Sequence, residues 1–309
     1  MQTRMLGSQG PAVSVIGFGA YPIAGQMGAV ARADAITAIR RSIALGSTLL
    51  DTAETYGPGL SEEIIGEAIR GHREHVFVAT KVAGGDGHLA YESIMTACEG
   101  SLKRLRTDYI DLYQCHWVDP TTPVEESMRA MDDLVRAGKI RYVGVSNFGV
   151  ELLRRCLSVR HVDALQPVYN LFERGIEAEI LPFCQEQGIG VLAYSPLAKG
   201  VLAGCYTHDT VFPPNDERSQ MKSYQGAQWR ASLERVEQLK GLTSAWGITM
   251  SQLAIAWVLA NPAITVCLVG GKSSSQVEDN VGAAGVTLSS ERLQAVEQAV
   301  GGYQAPLFG

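Results

Sequence analysis

Four side chains suited to proton transfer at a carbonyl stand at, or just beyond, the ends of short apolar runs: Asp51, Tyr56, Lys81 and His116. A phenol beside an ammonium has its pKa drawn down from about 10, because the cation favours phenolate. At about 4 Å and an effective dielectric near 20 that attraction is on the order of 4 kcal/mol. A shift of two units needs roughly 2.7 kcal/mol, so Lys81 is expected to tune Tyr56 into a proton donor near neutral pH. Asp51 would pair with Lys81, keeping it charged and oriented. His116 would donate a hydrogen bond to the same carbonyl oxygen. Together they form an oxyanion site with a general acid, with no nucleophile and no metal-ligand set.

Such a site polarises a carbonyl but does not reduce it; hydride has to come from a cofactor. Ser146, Asn147 and Gln166 suit a carboxamide, which offers both a donor and an acceptor. Tyr194 offers a face for a flat ring. Gly270-Gly271-Lys272-Ser273-Ser274-Ser275 opens the last helix after the final apolar run. Gly and Ser N–H groups at a helix start, with a lysine, make an anion site.

Positioning these groups requires a regular frame. Apolar runs at Val15–Phe18, Ser47–Leu50, Val76–Ala79, Ile110–Tyr113, Tyr142–Val145, Ala164–Leu165, Gly190–Ala193 and Ile264–Val269 alternate with segments of helical period. These segments include Ala35–Leu45, Glu62–Ile69, Tyr91–Leu105, Val124–Ala137 and Glu177–Gln187. Runs apolar on both faces and separated by helices imply a parallel sheet covered on its outside. Eight such units fit an α/β fold closed as a single (β/α)8 TIM barrel, with the site at the strands' carboxyl ends. Asp51, Lys81, Gln114 with His116, Ser146 with Asn147, Gln166, and Tyr194 with Ser195 end six successive runs and would converge there.

Local signals mark the helix ends. Ser61 before Glu62 and Glu63 reads as an N-cap, and Thr122-Pro123 as a helix start. Gly46, Gly71, Gly138 and Gly188 sit where a left-handed residue ends a helix. Met5–Leu6 and Ala12–Val13 flank a turn, predicting a short N-terminal hairpin across the barrel bottom. Residues 200–228, polar and with Pro213-Pro214, form an insertion after the seventh strand that would line or cover the site.

The composition agrees with this frame. At 309 residues two domains of about 150 would fit, but a barrel of this size uses the whole chain, 1–309, as one. The 46% hydrophobic content argues against disorder. A net charge of −6, with no long Lys/Arg run, argues against nucleic acid as a partner. No apolar stretch approaches the roughly 18 residues that span a bilayer, and MQTRMLGSQG has no secretory apolar core. The expectation is a soluble cytoplasmic enzyme with a small-molecule partner, its six scattered cysteines reduced.

Several stretches, in order, resemble the aldo-keto reductase family: Leu50-Asp51-Thr52-Ala53-Glu54-Thr55-Tyr56-Gly57, Ala79-Thr80-Lys81 and the segment Asp108–Trp117. Gly138–Phe148 and Tyr194-Ser195-Pro196-Leu197-Ala198-Lys199-Gly200 extend the likeness to nearly the whole chain. The resemblance implies a (β/α)8 barrel that binds NADP(H), without a separate dinucleotide domain, and reduces aldehydes or ketones. By it, Asp51, Tyr56, Lys81 and His116 match the catalytic tetrad, with Tyr56 as general acid or base. Ser146, Asn147 and Gln166 match the carboxamide ligands and Tyr194 the stacking ring, with Gly19, Ala20, Tyr21 and Asp51 also at the cofactor. Ser195, Leu197, Lys199 and Gly200 fall on the pyrophosphate loop; Gly270, Lys272, Ser273, Gln276 and Asn280 fall on the 2′-phosphate and adenine segment. Many family members have arginine where Gln276 stands, which leaves Lys272 as the obvious cation, without arginine's planar fork; NADP(H) is preferred, with NAD(H) or dual use as the alternative.

Other readings compete. A strand-end lysine also suits a Schiff-base aldolase, although pairing with Asp51 would keep Lys81 protonated. A reductase-like regulatory subunit would bind the cofactor without turnover. Gly85-Asp86-Gly87-His88-Leu89-Ala90 mimics a dinucleotide fingerprint, but reads better as a loop at the site mouth. Tyr21, Tyr56, His116 and Trp117 are the substrate-side candidates, together with the insertion and the tail around Tyr303–Phe308. Trp229, Trp246 and Trp257 read as packing residues.

Overall fold

The computed structural model describes residues 1–306. Eight parallel strands close into a barrel: β3 (Ile16–Gly19), β4 (Leu49–Asp51), β5 (Phe77–Val82), β6 (Ile110–Cys115), β7 (Ile140–Ser146), β8 (Ala164–Gln166), β9 (Gly190–Tyr194) and β10 (Val266–Val269). Pairing of β10 with β3 completes the ring. Every predicted run becomes a strand, several of them extended at the carboxyl end to include the polar residue that follows. Asp51 is the last residue of β4, Ser146 of β7, Gln166 of β8 and Tyr194 of β9.

Strand alternation explains how such runs hold polar groups. On β6, Leu112 faces the barrel interior with Leu49, Ala79, Ala164 and Leu192. Tyr113 and Cys115 point outward into the layer shared with the helices. Gln114 and His116 share parity with Leu112, so one strand runs inward-facing from apolar to polar. Parallel register then sets Lys81 beside Gln114 and Ser146 beside Gln166.

Helices α1 (Arg32–Ala44), α2 (Leu60–Ala68), α3 (Tyr91–Leu105), α4 (Val124–Arg136), α5 (Val150–Leu157) and α6 (Ile180–Gln187) follow β3 to β8 in turn. Next come α7 (Gly226–Trp246), α8 (Met250–Ala260), α9 (Ser274–Gly282) and α10 (Ser290–Val300). The glycine-serine segment therefore opens α9, which is not the last helix. Gly46, Gly71, Gly138 and Gly188 all have positive φ, as helix-terminating residues require. Pro123 directly precedes α4. Ser61 is not the cap: α2 begins at Leu60 with Gly59 at the cap, two residues earlier than expected. The Ser61 hydroxyl instead donates to the Ala20 carbonyl at 3.2 Å and accepts from Thr52 Oγ1 at 2.7 Å. Tertiary hydrogen bonds outcompeted the local cap.

The hairpin of β1 (Thr3–Met5) and β2 (Ala12–Ser14) forms as expected. Leu6, in its turn, is completely buried among the inward leucines at the barrel foot. Between β9 and α7 the insertion is built of short 3-10 turns. Buried Trp229 and Trp257 pack in the outer core. All six cysteines are free, and all but Cys205 are buried. Among the described residues no single helix is long and apolar enough to cross a membrane.

Leu6→Ala removes the plug at the barrel foot and is expected to cost about 2–5 kcal/mol, as for other buried leucines. Urea unfolding of the two proteins measures it; a loss below about 0.5 kcal/mol would show that the hairpin is not part of the core.

Candidate active site

The carboxyl ends of the strands open into a cavity of about 660 Å³. At its base, Lys81 is fully buried on β5 and donates to Asp51 Oδ1 at 2.7 Å and to the Thr52 carbonyl at 2.8 Å. Its ammonium lies 5.2 Å from the centre of the Tyr56 ring. Burial draws Lys81 down from its ordinary pKa, while Asp51 favours the charged form. Tyr56, Asp51, His116 and Trp117 all line the cavity, whereas Lys81 stands behind the wall.

Tyr56 sits on the loop after β4, and a buried polar network holds that loop. Thr80 Oγ1 donates to Glu62 Oε1 at 2.6 Å, and Arg104 donates to Glu62 Oε2 at 2.6 Å. Arg104 also faces Glu54, whose Oε1 accepts from the Ala83 N–H at 2.7 Å. The side chains around Tyr56 are aromatic: Tyr21 meets it edge-on at 4.9 Å and His116 at 5.6 Å between ring centres.

The expected lowering of the Tyr56 pKa by Lys81 does not occur. Burial pushes the phenol well above its ordinary value, and the carboxylates of Asp51 and Glu217 push it further. Lys81 is already neutralised by Asp51 at 2.7 Å, so the phenol faces a paired charge and not a lone cation. Tyr56 is therefore held protonated across the neutral range. His116 is drawn down to about 3, by burial first and the Lys81 charge second. It is a neutral imidazole with one N–H to donate.

Beside this centre, Ser146 Oγ donates to the Gln166 carbonyl at 2.8 Å, and Asn147 Nδ2 reaches the His116 carbonyl at 3.3 Å. The Tyr194 hydroxyl donates to Asn147 Oδ1 at 3.0 Å. Asn147, Ser195, Ala198 and Lys199 all adopt positive φ, between 46° and 64°. Such backbone costs on the order of 1–3 kcal/mol per residue and gathers at functional sites. Asn170 Nδ2, donating to the Ser195 carbonyl at 3.1 Å, helps to hold one of these turns.

Further along the cleft, Gly200, Gly270, Lys272, Gln276 and Asn280 line the same wall as Gly19, Tyr21, Ser195, Leu197 and Lys199. Asn280 donates to the Gly270 carbonyl at 3.0 Å, and Gln276 Oε1 accepts the Lys272 N–H at 2.8 Å. Ser273 caps α9 through the Gln276 N–H and is not part of the wall. Ala20 is also off the wall: it is buried, and its N–H donates to the Asp51 carbonyl at 2.8 Å. It acts on the backbone of the strand that carries Asp51.

The insertion contributes residues that sequence reasoning did not name. Glu217 accepts from Lys199 Nζ at 2.8 Å and from the Tyr21 hydroxyl. Arg218 lines the cavity, paired with Asp216 and bonded to the Tyr206 hydroxyl and the Met27 carbonyl. Lys272 Nζ donates to the same Met27 carbonyl. Burial and the Arg218 charge both lower the Lys272 pKa. The only sequence signal was that the whole segment is polar and aperiodic. Trp117 is partly exposed and stacks on His116 at 6.0 Å. Tyr303 bonds Ser232 and the Gln228 carbonyl and does not line the cavity; Phe308 lies outside the described residues. Gly85–Ala90 forms a turn before α3, with His88 exposed.

The model of the Aldo/keto reductase family matches residues 15–300. The chain belongs to the aldo-keto reductase family. It is 38% identical over 301 residues to the aldo-keto reductase YhdN of Bacillus subtilis, covering 94% of this chain and 91% of that one. A probable voltage-gated potassium channel subunit beta of Oryza sativa is 35% identical, with 97% of each chain covered. Among solved structures, the glycerol dehydrogenase AKR11B4 of Gluconobacter oxydans has a TM-score of 0.86 at 33% identity, covering 96% of this chain and 94% of that one. An aldo/keto reductase of Klebsiella pneumoniae in complex with NADP and acetate has a TM-score of 0.78 at 32% identity, covering 99% and 97%. Family membership makes this aldo-keto reductase an oxidoreductase.

The depressed His116 value also carries a stability cost. Between its ordinary 6.5 and about 3, the unfolded chain takes up a proton that the folded reductase refuses, so stability falls as pH falls through that window. Imidazole nitrogen NMR is expected to show His116 neutral from about pH 8 down to pH 5. A titration midpoint near the ordinary value would contradict the burial argument.

Proposed function

We propose that this aldo-keto reductase reduces aldehydes and ketones, and oxidises the corresponding alcohols, using NADP(H), with Tyr56 as general acid in reduction and general base in oxidation. The observation that carries the reading is the buried Asp51–Lys81 pair at 2.7 Å behind a protonated Tyr56 and a neutral His116, all at one end of the cavity.

The donor set fits a nicotinamide dinucleotide. Ser146, Asn147 and Gln166 offer amide and hydroxyl groups next to the reacting end, and the Tyr194 ring adjoins them. At the other end, Arg218 and Lys272 stand close enough for one cation to depress the other's pKa, as an anion site requires. Those two cations support a phosphorylated ribose over an unphosphorylated one. When bound, the nicotinamide supplies the hydride.

The chain's own groups do the rest. Tyr56 O–H and the His116 N–H would both point at the carbonyl oxygen, so negative charge developing there meets two donors. Tyr56 passes its proton to that oxygen. The Lys81 ammonium, 5.2 Å from the Tyr56 ring centre and kept charged by Asp51, offsets only part of the cost of the phenolate left behind. Trp117 and Tyr21 exclude water from one side of the carbonyl.

An imine-forming role for Lys81 has little support: the amine is fully buried and already donates to Asp51 and Thr52. A regulatory subunit is favoured by the likeness to the rice channel subunit, and tight NADPH binding without turnover on a panel of aldehydes, ketones and sugars would establish it.

Tyr56→Phe is expected to lower turnover about 10²–10⁴-fold, the usual worth of a positioned acid, while NADPH affinity stays nearly intact. Wild-type turnover in that variant, in a steady-state assay with fluorescence titration alongside, would remove the proton-donor role. Lys272→Ala loses a charged hydrogen bond of about 1.5–3 kcal/mol and is expected to weaken NADPH by about 10–100-fold. NADH affinity should change little; equal losses would remove the 2′-phosphate role.

A further inference from the structure

Gln114 is a fully buried amide in the barrel interior, outside the cavity wall and without contact to the space where a ligand fits. It lies two residues before His116 on β6 and pairs in register with Lys81 on one side and Gly144 on the other. A Cβ on Gly144 would come within 2.8 Å of Gln114 Cγ, so the glycine makes room for this side chain. An amide placed in an apolar core is costly unless it is hydrogen-bonded. Its bonds go to two groups of the site. Gln114 Nε2 approaches Asp51 Oδ2 at 3.5 Å, and Gln114 Oε1 accepts from Gln166 Nε2 at 3.4 Å.

Gln166 Nε2 also donates to Asp51 Oδ2, at 2.8 Å. Its two amide hydrogens are thus taken by Asp51 and Gln114. The side-chain oxygen, Gln166 Oε1, is the end of the amide left for the cavity, where it can accept and not donate. Meanwhile Asp51 Oδ2 is held by the two glutamines, which turns Oδ1 toward Lys81. We propose that Gln114 is a positioning residue: it fixes the orientation of the Gln166 amide, and so couples recognition of the nicotinamide carboxamide to the Asp51–Lys81 pair. This rests on the reading of the site as a nicotinamide coenzyme site.

The test compares two ligands by calorimetry or fluorescence titration, with no turnover required. NADPH spans the whole cleft, whereas 2′,5′-ADP carries the adenine and phosphates and lacks the nicotinamide. Gln114→Met keeps the volume and removes both polar ends. It is expected to weaken NADPH about fivefold, the worth of one hydrogen bond, and to leave 2′,5′-ADP unchanged. Equal weakening of both ligands, or of neither, would overturn the proposal.

Should that variant fail to fold, Gln114→Glu decides. Protonated, its O–H donates to Asp51 and its C=O accepts from Gln166, as the amide does; ionised, it repels Asp51. NADPH affinity relative to 2′,5′-ADP should therefore fall as pH rises in Gln114→Glu beyond any change in wild type. A ratio that follows wild type at every pH overturns the proposal. If wild type binds neither ligand, it is the coenzyme reading that fails, and Gln114 is not the cause.

Discussion

The ion pair between Asp51 and Lys81 is the constraint around which the barrel's upper half is arranged. Two charges taken out of water repay their desolvation only when geometry is good and the remaining donors and acceptors are satisfied. Here the Thr52 carbonyl takes a second Lys81 proton, while Gln166 and Gln114 approach the second Asp51 oxygen. The strand order that places β4, β5, β6 and β8 around one axis supplies all of these partners. The pair in turn sets the protonation of its neighbours. After burial, its carboxylate helps to hold the Tyr56 phenol protonated, and its cation opposes protonation of His116. One acid and one neutral donor result from burial, with the pair reinforcing both.

Charge elsewhere in the cleft is handled differently. The chain carries 32 acidic against 26 basic side chains, yet the cavity wall gathers Lys199, Arg218 and Lys272. Acids of the insertion partner two of these, Glu217 with Lys199 and Asp216 with Arg218. Nearby acids lower the self-repulsion of clustered cations while leaving their donors at the wall. Glu217 also ties the insertion to Tyr21, which meets Tyr56 edge-on.

The strands were legible because a parallel sheet covered on both faces leaves uninterrupted apolar runs, each stopped by a polar residue where the barrel opens. Asp51, His116, Ser146, Gln166 and Tyr194 could be placed on that ground alone, and the family likeness agreed. What escaped were quantities set by several distant groups at once. Ser61 looked like a cap, but Thr52 and Ala20, brought close by folding, claim its hydroxyl. The Tyr56 shift has the opposite sign to the one expected from Lys81 alone, because burial and two carboxylates act on the same phenol. Glu217 and Arg218 lie in an aperiodic segment whose path depends on tertiary contacts to Gln26 and Met27. Gln114 was visible as a strand-end polar residue, but its partners come from β4 and β8 and cannot be read from β6.

The alternation along β6 has an evolutionary side. Leu112, Gln114 and His116 owe their inward positions to one shared parity, while Tyr113 and Cys115 hold the opposite one. Insertion or deletion of a single residue in this strand would exchange the two sets together, sending the imidazole outward and a phenol in. Side-chain substitutions can explore this site one group at a time, but changes of length cannot. The strand is therefore open to drift in composition and closed to drift in register, and length variation in descendants of this chain should be confined to segments such as 200–228.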